Sequence, residues 1–121
     1  MFSVKGVVQK GESRGSSIGF PTININAGSL DAKNGVYAVR LGVGKNVYGG
    51  VANLGTAPTF NRNRRLLEVH IFGFSGSIYG EEVEVSFVKF LRDEKKFASV
   101  EDLKEQIRKD VEKAKEILGK L

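Results

Sequence analysis

The chain has 121 residues and a formal net charge of +5; 40% of its residues are hydrophobic and 27% are charged, a balance that predicts one folded domain and excludes a disordered chain. Because it has no cysteine and one histidine, disulfides, thiolate metal sites, cysteine nucleophiles and multi-histidine metal cages are excluded. No apolar run approaches the roughly 20 residues of a membrane helix, and the N-terminus lacks a signal-peptide pattern, so we expect a cytoplasmic protein without a membrane partner.

Most of the chain consists of short apolar runs separated by turn residues. Phe2–Gln9 alternates and is rich in Val, Gly11–Gly19 has the composition of a loop, and Phe20–Ile25 is extended because its proline disfavours the α region at the preceding residue. The remaining predicted strands, hairpin and turn are Gly35–Leu41, Gly42–Asn46 (hairpin), Val47–Leu54, Leu66–Phe72, Gly73–Gly80 (turn) and Val83–Val88. This pattern predicts a closed or sandwich-like antiparallel sheet.

The end of the chain has a helical period, over about residues 99–119. Ser99 and Asp102 resemble a capping box. The apolar positions recur every three or four residues: Leu103, Ile107, Val111, Ala114, Leu118 and Leu121. Such a stripe could bind a partner, but packing across a small barrel is the favoured interpretation.

The Gly11–Gly19 loop suits phosphate, because glycines admit a close backbone approach and hydroxyls and the Arg14 guanidinium bind oxygen. It is neither a Walker loop nor a dinucleotide fingerprint, and alone it indicates only a flexible loop. After it, Thr22 and Asn24 point to one side of an extended segment while Ile23 points away. Their oxygens suit Mg²⁺ that takes its other ligands from water and phosphate, although the pair alone is more typical of a turn that closes the loop.

Glu68 and His70 share one face of their strand, opposite its apolar residues. A carboxylate beside a bound nucleotide could accept the proton of an attacking hydroxyl, whereas the ordinary interpretation is a solvated outer face. The segment Gly50–Phe60 indicates a loop that presents polar side chains for binding.

Taken in chain order, these segments resemble the riboflavin kinase family over nearly the whole chain. The matching segments include Gly19-Phe20-Pro21-Thr22-Ile23-Asn24, Val51-Ala52-Asn53-Leu54-Gly55, Leu67-Glu68-Val69-His70 and Phe90-Leu91-Arg92. The Pro-Thr-x-Asn motif with the downstream Glu-x-His is the highly specific part. The resemblance implies a mainly β fold, a six-stranded antiparallel Greek-key barrel with a C-terminal α-helix, as one domain over residues 1–121. It also implies transfer of the ATP γ-phosphoryl group to the riboflavin 5′-hydroxyl, giving FMN and ADP in the first step of FMN and FAD biosynthesis, with Mg²⁺ as cofactor.

The same resemblance implies roles for individual residues. Glu68 matches the catalytic base, and Thr22 and Asn24 match the magnesium ligands. The positions that match ATP or phosphate ligands are Gly11, Arg14, Gly15, Ser16, Ser17, Gly19, Pro21, Thr22, Asn24 and Asn53. The positions that match flavin ligands are Arg65, Leu66 and Arg92. Ile23 stands where the family usually has alanine, which we expect to be harmless because this side chain points away from the site.

The expected partners are ATP, ADP, riboflavin and FMN, and no nucleic acid. In bacteria this kinase resembles the C-terminal half of bifunctional FAD synthetases, so either an N-terminal FMN adenylyltransferase domain in the full-length protein or a free-standing kinase is expected.

Two other classes compete with a kinase. Residues 1–65 contain nine Lys or Arg and two acidic residues, which suits a nucleic-acid-binding barrel as well as a nucleotide. Such a barrel needs aromatic residues among its basic ones, and Arg62–Arg65 contains none. A flavin-binding module without catalysis would not require Glu68 or the pair of Thr22 and Asn24.

Overall fold

The structure is a computed structural model that describes residues 2–9, 22–27, 30–56, 65–74 and 78–119. These residues form six strands and one helix. The elements are β1 (Phe2–Gln9), β2 (Ile23–Asn26), β3 (Gly35–Val43), β4 (Asn46–Thr56), β5 (Arg65–Ile71), β6 (Glu82–Arg92) and α1 (Val100–Gly119).

The six strands close into a barrel in the order β1-β2-β5-β4-β3-β6, and every neighbouring pair is antiparallel. Strands β3, β4 and β5 follow one another, and β6 returns to lie beside β3, which is a Greek-key arrangement. The predicted mainly β fold, a six-stranded antiparallel barrel with a C-terminal helix, is confirmed.

Side chains alternate between the inside and the outside of the barrel. In β5, Leu67, Val69 and Ile71 are buried in the core, while Glu68 and His70 lie on the outer face. This is the alternation that the sequence pattern predicts. In β2 the same rule applies: Ile23 and Ile25 enter the core on either side of Asn24, so the large side chain at position 23 does point away from the predicted site.

Two sequence expectations, one about the β3–β4 hairpin and one about the second half of β4, are wrong. The connection is two residues long rather than five, because the ladder continues until Val43 pairs with Asn46. Gly44 takes a φ of +58°, and such a left-handed first turn residue matches the twist of the two strands. The predicted Gly50–Phe60 loop is strand β4 up to Thr56, and its remaining residues lie outside the described part of the chain.

Helix α1 lies across the outer face of β3, β4 and β6. It begins where predicted, with the Ser99 hydroxyl accepting a hydrogen bond from the Asp102 backbone N–H at 3.1 Å. Ala114 is fully buried, and Leu118 packs so closely on Gly49 that a Cβ there would lie 2.9 Å from its Cδ1 atom. The described part of the apolar stripe therefore packs on the barrel, and Leu121 lies outside the described residues. Among the described residues, no helix is long and apolar enough to cross a membrane.

Candidate active site

Three predicted site residues from distant parts of the sequence lie in one row across the barrel. Asn24 of β2 pairs in register with Glu68 of β5, and Glu68 pairs with Asn53 of β4. Residues opposed in this way share one face of the sheet, with Cβ atoms about 4.5–5.5 Å apart. Because the neighbours of Glu68 in β5 point into the core, the row faces the outside of the barrel. A carboxylate is thus flanked by two amides on the outer face of the barrel, where Glu68 is half-buried and Asn53 is exposed.

Asn24 is the most constrained member of this row. Its side chain is buried, with 3% of the residue exposed, and its Oδ1 atom has no hydrogen-bond partner in the described part of the chain. Leaving a buried polar atom unsatisfied costs about 1–3 kcal/mol. An oxygen kept in this state at a predicted site is one that a ligand would satisfy.

The donors at this position fit Mg²⁺. The Oδ1 atom of Asn24 is a hard oxygen, and Thr22, one residue before β2, carries a second. Magnesium binds such oxygens and keeps several ligands from water or phosphate. The orphaned oxygen of Asn24 is the structural observation that supports the fit.

The predicted phosphate-binding loop lies outside the described residues. This applies to Gly11, Arg14, Gly15, Ser16, Ser17, Gly19 and Pro21, whose roles stay predictions. The described residues that flank the loop do meet the row: Gln9, the last residue of β1, pairs in register with Asn24, and Thr22 immediately precedes β2.

The three residues predicted to bind flavin lie in different surroundings. Leu66 pairs with Asn26 and Gly55 beside the row. Arg65, the first residue of β5, directs its guanidinium to the segment between β2 and β3. Arg92, at the end of β6, is two strands from Asn53 and forms an ion pair with the helix. The flavin contacts of all three stay predictions.

The ion pair of Arg92 joins the barrel to α1. Its Nη2 and Nε atoms donate to the Asp110 carboxylate at 2.8 and 3.0 Å, and Gln106 donates to the same carboxylate at 3.0 Å. Asp110 is 5% exposed. No role was predicted for this aspartate, yet its position among Ile107, Val111 and Ala114 on the apolar stripe was a signal, because a carboxylate on a buried face needs a cationic partner.

Tyr37 of β3 lies in the core. Its hydroxyl donates a hydrogen bond to the Lys33 carbonyl at 2.7 Å. Burial raises the pKa of the Tyr37 hydroxyl above 10.0, and the positive charge of Arg65 opposes that shift. The phenol therefore stays protonated over the whole physiological pH range.

A groove of about 310 Å³ lies at the other end of the barrel, between the end of α1 and β4. Arg40, Phe72, Lys115 and Leu118 are among its lining residues. None of the predicted site residues lines it, and its described lining contains no carboxylate that could accept a proton. The row of Asn24, Glu68 and Asn53 is therefore the better candidate for a catalytic site.

Comparison with known proteins identifies the family of the chain. The family model of riboflavin kinase (Flavokinase) matches residues 1–118. The bifunctional riboflavin kinase/FMN adenylyltransferase of Haemophilus influenzae is 50% identical over 117 residues, which cover 94% of this chain and 38% of that protein. The chain thus spans well under half the length of this curated relative.

Two solved structures share the fold. A Streptococcus pneumoniae protein described as a macrolide-efflux protein superposes with a TM-score of 0.83 at 36% identity, over 91% of this chain and 37% of that one. Riboflavin kinase from Trypanosoma brucei superposes with a TM-score of 0.68 at 24% identity, over 98% of this chain and 80% of that one. With the family match covering almost every residue, this chain belongs to the riboflavin kinase family.

Proposed function

We propose that residues 1–121 form one kinase domain that transfers the γ-phosphoryl group of ATP to the 5′-hydroxyl of riboflavin, giving FMN and ADP. The observation that carries this proposal is the row of Asn24, Glu68 and Asn53 on the outer face of the barrel, with the buried Asn24 oxygen unsatisfied. Family membership supplies the substrates, and the row supplies a place for the chemistry.

Glu68 is the proposed proton acceptor. As the riboflavin hydroxyl oxygen bonds to the γ-phosphorus, its proton passes to the Glu68 carboxylate and the bond from that phosphorus to the ADP oxygen breaks. General bases of this kind contribute about 10²–10⁴-fold to the rate. The rest of the acceleration comes from positioning and from charge stabilisation, for which the amides of Asn24 and Asn53 lie on either side of the carboxylate.

Thr22 and Asn24 are the proposed holders of Mg²⁺, which when bound neutralises charge on the ATP phosphates. Gly11, Arg14, Gly15, Ser16, Ser17, Gly19 and Pro21 are proposed to surround those phosphates. Arg65, Leu66 and Arg92 were predicted to line the flavin pocket; of these, Leu66 lies nearest to Glu68 in the fold.

The relatives described as bifunctional suggest a further partner. We propose that the FMN made here is the substrate of an adenylyltransferase domain, as the name of the Haemophilus influenzae protein indicates for that protein. The kinase reaction would then supply FMN directly to the adenylyltransferase reaction.

A turnover assay tests the proposed function. The purified chain is incubated with ATP, MgCl₂ and riboflavin, and FMN and ADP are quantified by chromatography, with an EDTA-treated sample as the metal-free control. We expect equimolar FMN and ADP with Mg²⁺ and neither product with EDTA. Riboflavin binding without FMN would instead indicate a flavin-binding module, and ADP without FMN a nucleotide hydrolase; either result would overturn the kinase assignment.

A further inference from the structure

We propose that Arg65 is a positioning residue, which clamps the segment between β2 and β3 to the start of β5 and thereby holds Asn24 opposite Glu68. This role rests on the proposed function, because it concerns the geometry of the same site. It differs from the sequence-based expectation that Arg65 binds flavin.

The clamp consists of hydrogen bonds from one guanidinium to three residues of that segment. The Nη1 atom donates to the Leu30 carbonyl at 2.5 Å, and Nη2 donates to the Ala32 carbonyl. Asn34 accepts twice at its Oδ1 atom, from Nε at 3.1 Å and from Nη2 at 2.8 Å. In addition, the Arg65 backbone carbonyl accepts from the Ala27 N–H at 3.0 Å.

These contacts occupy most of the donors of Arg65. A guanidinium has five N–H groups in a fixed fork, and the bonds to Leu30, Ala32 and Asn34 use four of them. At most one N–H is left for any other ligand. The Arg65 side chain is therefore committed mainly to the backbone carbonyls of Leu30 and Ala32 and to Asn34. A flavin could accept more than one hydrogen bond from Arg65 only if some of these bonds were broken.

Strand β2 has a particular need for such a clamp. It is four residues long, and it pairs with β1 at two positions and with β5 at four. A slip of one residue would turn Asn24 from the outer face to the core. Burial of Ile23 and Ile25 opposes that slip. The clamp opposes it further, because it ties the chain that follows β2 to Arg65, the first residue of β5.

The other described side-chain contacts of residues 30–34 do not reach β5. Lys33 accepts the Tyr37 hydroxyl through its carbonyl, which ties it to β3. Its ammonium forms an ion pair with Asp93 at 3.5 Å, and because both side chains are largely exposed this pair contributes little. In the described part of the chain, Arg65 supplies the hydrogen bonds between residues 30–34 and β5, the strand that carries Glu68 three residues later.

Arg65→Lys and Asn34→Ala test the clamp, alone and combined. A lysine keeps the charge but cannot reproduce the fork, whereas Asn34→Ala removes one acceptor and leaves Arg65 in place. Arg108→Lys is the matched control, because Arg108 lies on the exposed side of α1 and pairs with Glu105. For each variant we would measure kcat, the KM for Mg·ATP, the Kd of riboflavin alone, and amide hydrogen exchange over residues 22–34, below the melting temperature.

We expect Arg65→Lys to lower kcat/KM for Mg·ATP by about 10–100-fold, since a displacement of about 1 Å at a catalytic group can cost 10²-fold. Asn34→Ala should shift it in the same direction by less, and the double variant should be no worse than Arg65→Lys because both changes remove one network. Riboflavin Kd should stay at the wild-type value in every variant, while exchange over residues 30–34 becomes faster. Arg108→Lys should match the wild type throughout.

A weakened riboflavin Kd in Arg65→Lys, with Asn34→Ala like the wild type, would overturn the clamp and make Arg65 a flavin ligand. Unchanged exchange and unchanged kinetics in both variants would also overturn it. If Arg65→Lys does not fold, Asn34→Ala alone decides the question, since its residue is exposed. The exchange readout needs no substrate, so it tests the clamp even if the wild type forms no FMN and the proposed function fails.

Discussion

At the scale of single residues, the proposed role of Asn24 in ligand binding has a cost in stability. Its Oδ1 atom is buried without a partner in the described residues, a state that costs about 1–3 kcal/mol. A side chain that only filled space at this position would be better apolar. The amide oxygen is therefore consistent with a cation that it ligates in the bound state.

Asn24→Ala should weaken Mg·ATP binding by about tenfold or more, because loss of one good charge-assisted contact is worth about 1.5–3 kcal/mol. Riboflavin binding without nucleotide should not change. Calorimetric titration with Mg·ATP measures the effect, and Asn46→Ala, at the exposed β3–β4 hairpin, is the matched control. Wild-type Mg·ATP affinity in Asn24→Ala would contradict the assignment of Asn24 as a ligand.

Tyr37 gives a pH-dependent prediction at the same scale. Burial raises the pKa of its hydroxyl above 10.0, so the folded state disfavours the phenolate. The stabilising contribution is complete below about pH 10 and is lost as the pH rises through the higher folded pKa. The free energy of unfolding should thus fall more steeply above pH 10 in the wild type than in Tyr37→Phe.

Urea unfolding between pH 8 and pH 11 measures this difference. At pH 8, Tyr37→Phe should be less stable by about 1 kcal/mol, the usual contribution of one hydrogen bond, here the bond to the Lys33 carbonyl. The gap should narrow toward pH 11. A constant gap over that range would show that the Tyr37 hydroxyl titrates as in the unfolded chain.

At the scale of elements, one buried ion pair joins α1 to β6 beside the apolar contacts of the helix. The side chains of Arg92 and Asp110 are 19% and 6% exposed, and Gln106 satisfies the carboxylate further. A buried pair contributes little by its mere presence, but removing one partner leaves the other charge uncompensated. The pair therefore fixes where the helix sits on β6.

Asp110→Ala should lower the free energy of unfolding by about 3 kcal/mol, because it strands the Arg92 guanidinium in a mostly buried position. Replacing both partners, as Arg92→Met with Asp110→Leu, should recover most of that loss. Glu105→Ala is the control, since it breaks the exposed pair with Arg108 and should cost about 0.5 kcal/mol or less. A small loss in Asp110→Ala, equal to the control, would mean that the pair does not anchor the helix.

Local patterns predicted the elements well where their causes are local. The helix start depends on Ser99 and the apolar period, and both are readable from neighbouring residues. Strand β6 runs to Arg92, whereas the sequence pattern predicted an end at Val88. Its pairing with β3 has irregularities at Val36/Tyr37 and Ala38/Val39. Such irregularities break the period of two, so the pattern fails beyond that point although the ladder continues.

At the scale of the whole molecule, the site depends on contacts that no local pattern specifies. Asn24 meets Glu68 because β2 pairs with β5, a strand that follows it only after two others. The family resemblance supplied the residue roles, and the barrel supplies their adjacency. The bonds from Arg65 to Leu30, Ala32 and Asn34 had no signal in the sequence, because two of the acceptors are backbone carbonyls and any residue type provides those.

Closure of the barrel gives a prediction at Gly6 of β1. A Cβ there would lie 2.5 Å from the Cγ2 atom of Ile25 in the core, so Gly6→Ala should lower the free energy of unfolding by about 1–3 kcal/mol through overpacking. Gly42→Ala is the matched strand control, since among the described residues the only atom within 4 Å of its Cβ is the Glu84 carbonyl oxygen at 3.8 Å. This variant should be neutral or slightly stabilising. Equal stability of the two variants, measured by urea unfolding, would show that the core has room beside Gly6.

The proposed chemistry depends most directly on Glu68, and its replacement by Gln keeps the shape while removing the proton acceptor. The decisive measurement is the single-turnover rate of FMN formation at neutral pH with saturating Mg·ATP and riboflavin. Glu84→Gln is the control, because it is the same change at an exposed position of β6. Strand β6 lies three strands from β5 in either direction around the barrel. We predict a fall of about 10²–10⁴-fold in Glu68→Gln and the wild-type rate in Glu84→Gln. FMN formation at the wild-type rate in Glu68→Gln would contradict a catalytic site at this row.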